Sequence, residues 1–210
     1  PVGALVAKKD MLGNVDVTGR MTPTARFMGG REFAAIADGA NPQSASIETL
    51  RLLIESRTFA LPSFSHQGGP FSDRIGALEH GGQPLDREPA ACLSETERAT
   101  LAAMYCAQVT AWLTHYLWAQ SFATRSKVVV EGPLANNPIF MLVLQALLPD
   151  GVCLSTTDKL EGTARGAWVL SRWGSAQSRQ KLKPVKHEDV EGLSLYHADW
   201  LARVNPSRLA

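Results

Sequence analysis

Apolar positions recur every three or four residues between Ser94 and Ala119, at Leu101, Met104, Tyr105, Val109, Trp112, Leu113, Tyr116 and Leu117. That spacing predicts a long, largely buried helix. Ser94 and Glu97 open it as a capping box, in which hydroxyl and carboxylate each serve one orphan backbone N–H. The pattern then changes. Lys127 to Glu131 carries three consecutive valines and predicts a strand, Gly132 to Asn136 a loop, and Asn137 to Leu148 a helix with Pro138 in its first turn. Gly151 to Ser155 predicts another strand and Glu161 to Trp173 another helix. Strand, helix, strand and helix in close succession imply a βαβα unit with a parallel sheet. Continuous apolar strands belong in a sheet covered on both faces, so Val128, Val129, Val130, Val152 and Leu154 are its expected core.

The first half is more broken. Val2 to Ala7 suits a strand, with Lys8 to Asp10 and Gly13-Asn14 as turn residues. Val15 and Val17 alternate with polar neighbours as a second strand ended by Gly19, and residues 22–33 lead into a helix from Arg31 to Ala37. Residues 38–46 are a loop by composition, and the apolar spacing from Ile47 to Ile54 predicts a helix begun by Ser46. Residues 59–82 are turn-rich and read as strand and exposed loop. From Gly174 the chain is polar, with Trp200 and Leu201 as late apolar contacts.

The 210 residues, 45% hydrophobic and 20% charged, are ordinary globular material and exclude a disordered or fibrous chain. Lys and Arg number 21 against 20 acids, a net charge of +1, which gives no global field for nucleic acid or an anionic membrane. No stretch reaches the ~18 uninterrupted apolar residues of a membrane helix. Cys92, Cys106 and Cys153 have no paired spacing and read as free thiols in a reducing cytosol. His66, His80, His115, His187 and His197 are scattered and form no ligand set, His115 reading as a core or interface residue. Asp10 and Asp16 read as solvated turn charges, Asp38 as a helix-end turn, and the start at Pro1-Val2-Gly3 as a cut inside a longer polypeptide.

One segment carries candidate chemistry. Glu131-Gly132-Pro133-Leu134-Ala135-Asn136-Asn137-Pro138 is a small-residue loop between a strand and a helix. Such loops present backbone N–H groups outward, and a position without a side chain lets phosphate or nucleoside approach the main chain. On the residues alone it is equally a turn.

Lys127 to Leu148 resembles the adenosine motif of the FGGY family of carbohydrate kinases, in the actin-like ATPase superfamily: an apolar strand, a Gly-Gly pair, small residues with an Asn, and an apolar helix. Gly132 falls on the second Gly and Asn136 on the Asn, while Glu131 replaces the first Gly. Val152 to Ser155 with Glu161-Gly-Thr-Ala-Arg-Gly-Ala-Trp168 is similar to the family's next strand and helix, and Ala25-Arg-Phe-Met-Gly-Gly-Arg-Glu-Phe33 to a segment of one bacterial subgroup.

The resemblance implies an α/β fold of ribonuclease H-like type, a mixed sheet flanked by helices. Residues 1–210 would form the C-terminal, nucleotide-binding lobe of a two-lobed kinase, with 174–210 as an extension of it. It implies a cytoplasmic enzyme using ATP and Mg2+ to phosphorylate a ketose or polyol hydroxyl, with the sugar held mainly by the other lobe, and it allows a homodimer. Nucleotide-binding residues would be Glu131, Gly132, Pro133 and Asn136. The general base, an Asp followed by a Thr-Gly-Thr turn in the family, is expected upstream of Pro1, so this chain alone is expected to be inactive. Asp38-Gly39-Ala40 imitates that Asp at the wrong place in the family order. Glu131 would face ribose or adenine, pair with Arg165, or merely end the strand at solvent. Gly68-Gly69-Pro70-Phe71 would approach nucleotide or a partner subunit, or be a plain surface turn, and Trp112, Tyr116 and Trp118 would pack the core or the lobe junction. The departure at Glu131 also favours a second reading, a non-catalytic actin-like or sugar-sensing interaction module.

Overall fold

The computed structural model describes residues 9–65, 67–85, 88–119, 127–150, 152–157, 162–173 and 182–204. The strand expected over Val2 to Ala7 lies outside them, as do His66 and Glu161. The elements in order are β1 (Met11–Val15), β2 (Met21–Ala25), α1 (Gly29–Ala37), α2 (Ile47–Glu55), β3 (Phe59–Leu61), β4 (Ala77–His80), β5 (Gln83–Pro84), α3 (Pro89–Cys92), α4 (Glu95–Ala119), β6 (Lys127–Val130), α5 (Pro138–Leu147), β7 (Cys153–Thr157), α6 (Gly162–Leu170), β8 (Leu182–Pro184) and α7 (Leu193–Val204). Short 3-10 turns stand at Pro42–Ser44 and Pro133–Asn136.

The long helix α4 is the axis of the molecule. Its cap is the expected one: Glu97 N–H donates to Ser94 Oγ (3.3 Å) and Ser94 N–H to Glu97 Oε2 (2.8 Å). Every residue from Ala99 to Val109 is buried, so α4 is covered all round rather than along one stripe. Helices α1, α2 and α5 and strand β3 pack against it. Helix α2 starts at Ser46 as expected, with Thr49 N–H bonded to Ser46 Oγ (3.1 Å).

The amino-terminal hairpin corrects the sequence reading. Gly13 and Asn14 lie inside β1, paired with Pro23 and Thr22, and the turn is at Asp16 to Arg20 instead. One side chain fixes it: Asp16 Oδ1 accepts from the N–H of Thr18 (2.8 Å) and of Arg20 (3.0 Å), and Gly19 takes φ +82°. An Asx turn of this kind outcompetes the Gly-Asn signal. At the hairpin's base Asp10 is no free turn charge. Its carboxylate takes Arg26 Nε at 2.7 Å and the Gly69 N–H at 2.8 Å. These bonds hold it ionised below the ordinary carboxylate range, Arg26 first. They also place Gly69, Pro70 and Phe71 in the interior, which corrects the reading of this glycine loop as a plain surface turn.

The third sheet has order β6-β7-β8, with β6 and β7 parallel (Val128 opposite Leu154, Val130 opposite Thr156) and β8 antiparallel. Parallel pairing of the two strands is as expected. Coverage of both faces is not: among the described residues β6 is the last strand of the sheet, Val129 is 42% exposed, and none of the described α6 side chains is buried. The valines follow the period-2 rule of a strand with one packed face, Val128 and Val130 inward and Val129 outward. Helix α6 is shorter than expected, its chain turning at Ser171 to Trp173.

Near the end, α7 is tied to β3. Trp200 is fully buried and its Nε1–H donates to Ala60 O (2.9 Å), Tyr196 donates its phenol to Thr58 O, and Phe59 stacks on Tyr196 with centroids 4.4 Å apart. The expected contact at Trp200 therefore belongs to the core. Among the described residues no helix is long and apolar enough to cross a membrane.

Candidate functional site

Because β6 and β7 run parallel and side by side, the loops that follow them leave the sheet at the same edge. In open α/β sheets that carboxyl edge is where ligands are received. Gly132 has φ +90° and ψ −173°, a conformation essentially reserved for glycine. A Cβ added there would find no atom within 4 Å, so the space over its backbone is open. The chain then closes into the Pro133–Asn136 turn, with Ala135 N–H bonded to Gly132 O (3.1 Å). Gly132 is half-buried, and Pro133 and Asn136 are exposed on the same loop. The next residue, Asn137, is buried and structural: its Oδ1 caps α5 through Phe140 N–H (3.0 Å), and its Nδ2 donates to Pro42 O (3.2 Å), drawing the 42–44 turn to the loop.

Glu131 is exposed, but its carboxyl group lies against the first turn of α6. A Cβ at Gly162 would collide with Glu131 Oε2 and stand 2.8 Å from its Cδ, so the carboxylate occupies the space a side chain at 162 would need. This is a more specific placement than any of those read from the sequence.

Helix α1 enters the same neighbourhood. Gly29 is buried, and a Cβ there would stand 3.0 Å from Phe27 Cε1 and 3.6 Å from Leu134 Cδ1; Gly30 is exposed, and a Cβ there would meet nothing within 4 Å. No side chain caps α1; Met28, its cap residue, supplies no side-chain hydrogen bond. The three helix starts near the loop therefore differ. The start of α5 is closed by Asn137 and Pro138, that of α6 has the Glu131 carboxylate beside it, and that of α1 offers glycine backbone. An uncapped helix start presents N–H donors and the positive end of the helix dipole.

What holds α1 there is Glu32, which the sequence reading passed over. It is 3% exposed, and its carboxylate accepts five hydrogen bonds: Ser63 Oγ (2.8 Å), Ser65 Oγ (2.6 Å), the N–H of Phe64 (2.7 Å) and of Ser65 (3.0 Å), and Tyr105 Oη (2.9 Å). Burial alone would push its pKa up; the Ser65, Phe64 and Ser63 bonds outweigh burial and keep it below the ordinary value. Burial, with the Glu32 charge nearby, raises the Tyr105 phenol and the Cys106 thiol far out of the physiological range. Cys106 donates to Gly29 O (3.6 Å) and is an inert packing thiol. The only sequence signal for this cluster was the Gly-Gly-Arg-Glu run, and its partners lie 31 to 73 residues away.

Other candidates take simple places. Asp38 caps the end of α1 in a left-handed conformation. Trp112 packs between Phe71 and Tyr116. His115 is exposed, its Nε2 3.2 Å from Leu147 O, while His197 is the inward histidine. Among the described residues no group of three or more His, Cys, Asp or Glu could hold a metal. Past Pro138 opens an apolar groove of about 450 Å3, walled by Ile47, Ile139, Leu142 and Val185 and edged by Ser46 and Lys186.

Residues 1–181 match the family model described as carbohydrate kinase FGGY, C-terminal domain. No curated protein matches the sequence. Among solved structures, a carbohydrate kinase from Novosphingobium aromaticivorans superposes with a TM-score of 0.75 at 24% identity, over 98% of this chain and 42% of that one. A xyloylose kinase from Brucella ovis superposes with a TM-score of 0.56 at 12% identity, over 90% and 40%. At these identities the likeness is one of fold, and this chain spans about two fifths of the length of either structure.

Proposed function

Since the chain belongs to the FGGY family of carbohydrate kinases, we propose that it is the nucleotide-binding lobe of a sugar kinase, of ribonuclease H-like fold. It would serve transfer of the γ-phosphate of Mg-ATP to a ketose or polyol hydroxyl. The observation that carries this reading is the pairing of Gly132, open above its backbone, with the open Gly30 in the uncapped first turn of α1, whose buried Gly29 packs near Leu134. Two glycines with open space over the backbone, Gly132 and Gly30, the second with a helix dipole behind it, suit a polyphosphate.

In this reading the α1 amides receive phosphate oxygens, Gly132 lets the nucleotide lie on the main chain, and Asn136 offers its amide to the nucleoside. The groove beyond Pro138 supplies apolar walls for adenine. Mg2+, arriving with ATP, neutralises charge on the phosphates. Transfer of this kind is governed by positioning and charge stabilisation, so a lobe that only holds ATP in line contributes a large share of the rate. Sugar recognition and the general base are assigned outside these residues, so the 210 residues alone should bind ATP without turning sugar over. The proposal includes a cytoplasmic setting and allows a homodimer.

Gly30→Asp tests it. A carboxylate in the first turn favours the helix, so the thermal midpoint should hold or rise, while the same charge repels phosphate. Calorimetric titration of the intact protein with Mg-ATP should show affinity about tenfold weaker or worse. Unchanged affinity, or no ATP binding by the unsubstituted protein, would overturn the reading.

A further inference from the structure

A carboxylate one residue before Gly132 is out of place in a site for a polyanion, and the fold shows how the chain tolerates it. Glu131 follows the last residue of β6, and α6 begins at the same sheet edge after β7. The Glu131 side chain reaches across that edge and rests on the α-carbon of Gly162, in space any other residue at 162 would fill. Gly162 is not demanded by its own backbone: it lies in helix and is absent from the residues of positive φ. With no positive φ to require it, the glycine calls for another reason, and the contact with Glu131 is one.

We propose that Gly162 is a positioning residue for nucleotide binding: it seats the Glu131 carboxylate at the start of α6 and so keeps a negative charge off the phosphates over Gly132. The inference rests on the nucleotide-binding reading above. The positive end of the α6 dipole favours a carboxylate at that seat. Filling the seat would drive the carboxylate back along the sheet edge, towards the open side of Gly132. There it opposes every charge on ATP at a separation where screening is incomplete.

The test is a double-substitution cycle read by calorimetric titration of the intact protein with Mg-ATP, beside thermal midpoints without ligand. Gly162→Ala should weaken Mg-ATP binding about tenfold or more, an effect of about 1.4 kcal/mol, and the loss should shrink at high salt. In a Glu131→Gln background, which keeps the size and removes the charge, adding Gly162→Ala should change affinity less than about twofold. If Gly162→Ala does not fold, Glu131→Asp serves instead, because the shorter side chain cannot reach the seat and its charge stays at the strand end; it too should weaken Mg-ATP. Equal loss from Gly162→Ala in the unsubstituted and Glu131→Gln backgrounds would show a purely steric effect and overturn the proposal. So would unchanged affinity in Gly162→Ala. If the unsubstituted protein binds no Mg-ATP, the nucleotide-site reading fails, and this inference with it; if it binds normally while the cycle is flat, only the inference fails.

Discussion

Glu32 and Glu131 carry the same carboxylate, and the molecule holds them in opposite ways. Glu32 is buried and fixed by five donors drawn from the 63–65 segment and from Tyr105 of α4. Glu131 is exposed, and its carboxyl group lies where a side chain at Gly162 would stand. An interior charge must have its hydrogen-bonding capacity filled, because nothing else replaces water. A surface charge keeps its water, so its place can be set by the shape of its neighbours as well as by its partners. The first arrangement stabilises the fold and sets the place of α1; the second stabilises little and adjusts what the sheet edge can receive. Substitutions in the two regions should therefore separate cleanly into effects on unfolding and effects on ligand.

The largest effect is expected at Glu32. Glu32→Ala leaves a cavity and removes the acceptor from five donors, of which the Ser63 hydroxyl keeps Ser65 O at 2.8 Å, and breaking a buried charged network of this kind costs about 3–5 kcal/mol. Urea unfolding followed by circular dichroism measures it; a loss under about 1 kcal/mol would mean the network is ornamental. The pH dependence follows from the direction of the shift. Its folded-state pKa lies below the ordinary 4.5, so its contribution is complete above 4.5 and is lost as pH falls through the lowered value.

His197 belongs to the same stable half and titrates in the other sense. Its Nδ1 lies 3.2 Å from Gln108 Nε2 and its ring stacks on Trp200 at 5.7 Å. Burial, and then the nearby His115, push its pKa from 6.5 down to about 4. Between those values the unfolded chain binds the proton and the folded one does not, so stability falls as pH drops from 6.5 to 4 and is level above 6.5. The loss amounts to about 3 kcal/mol at most. His197→Gln should flatten that slope. A wild-type stability level over the same range would show that the ring accepts its proton in place.

How much of this is legible in the sequence depends on how local each cause is. The Ser94–Glu97 and Ser46 caps, the α4 repeat and the parallel β6–β7 pair are written in spacings of a few residues, and they stand as expected. The hairpin misleads because Gly13-Asn14 resembles a turn, whereas the actual turn depends on one Asp16 carboxylate choosing backbone partners. Val129 on the second face of β6 is more exposed than expected, because three valines in a row do not reveal which neighbours cover them. The loop at 131–136 is visible as a loop, but not its relation to Gly29, Gly30 and Gly162. Those depend on close approaches between segments far apart in sequence.

The smallest effects are expected in the loop itself, and they test whether it is more than a turn. At φ +90° and ψ −173°, any residue but glycine is strained by about 1–3 kcal/mol, so Gly132→Ala and Gly132→Val should both lower the thermal midpoint. They differ in what they place over the backbone. No protein atom lies within 4 Å of the new Cβ, so valine's extra methyls meet only what binds there. Relative to Ala, Val should therefore raise the Michaelis constant for ATP further, measured in the full-length enzyme. The total change from wild type should be about 5- to 150-fold, for a loss of about 1–3 kcal/mol, with that for the sugar nearly unchanged. Asn136→Ala should act in the same direction by less than about tenfold, since water can replace an exposed amide. Its midpoint should not move, because the cap on α5 belongs to Asn137. If Ala and Val at 132 are equally destabilised and bind ATP alike, and Asn136→Ala is silent, the strained glycine serves only the path of the chain. The nucleotide would then have to be carried by the start of α1.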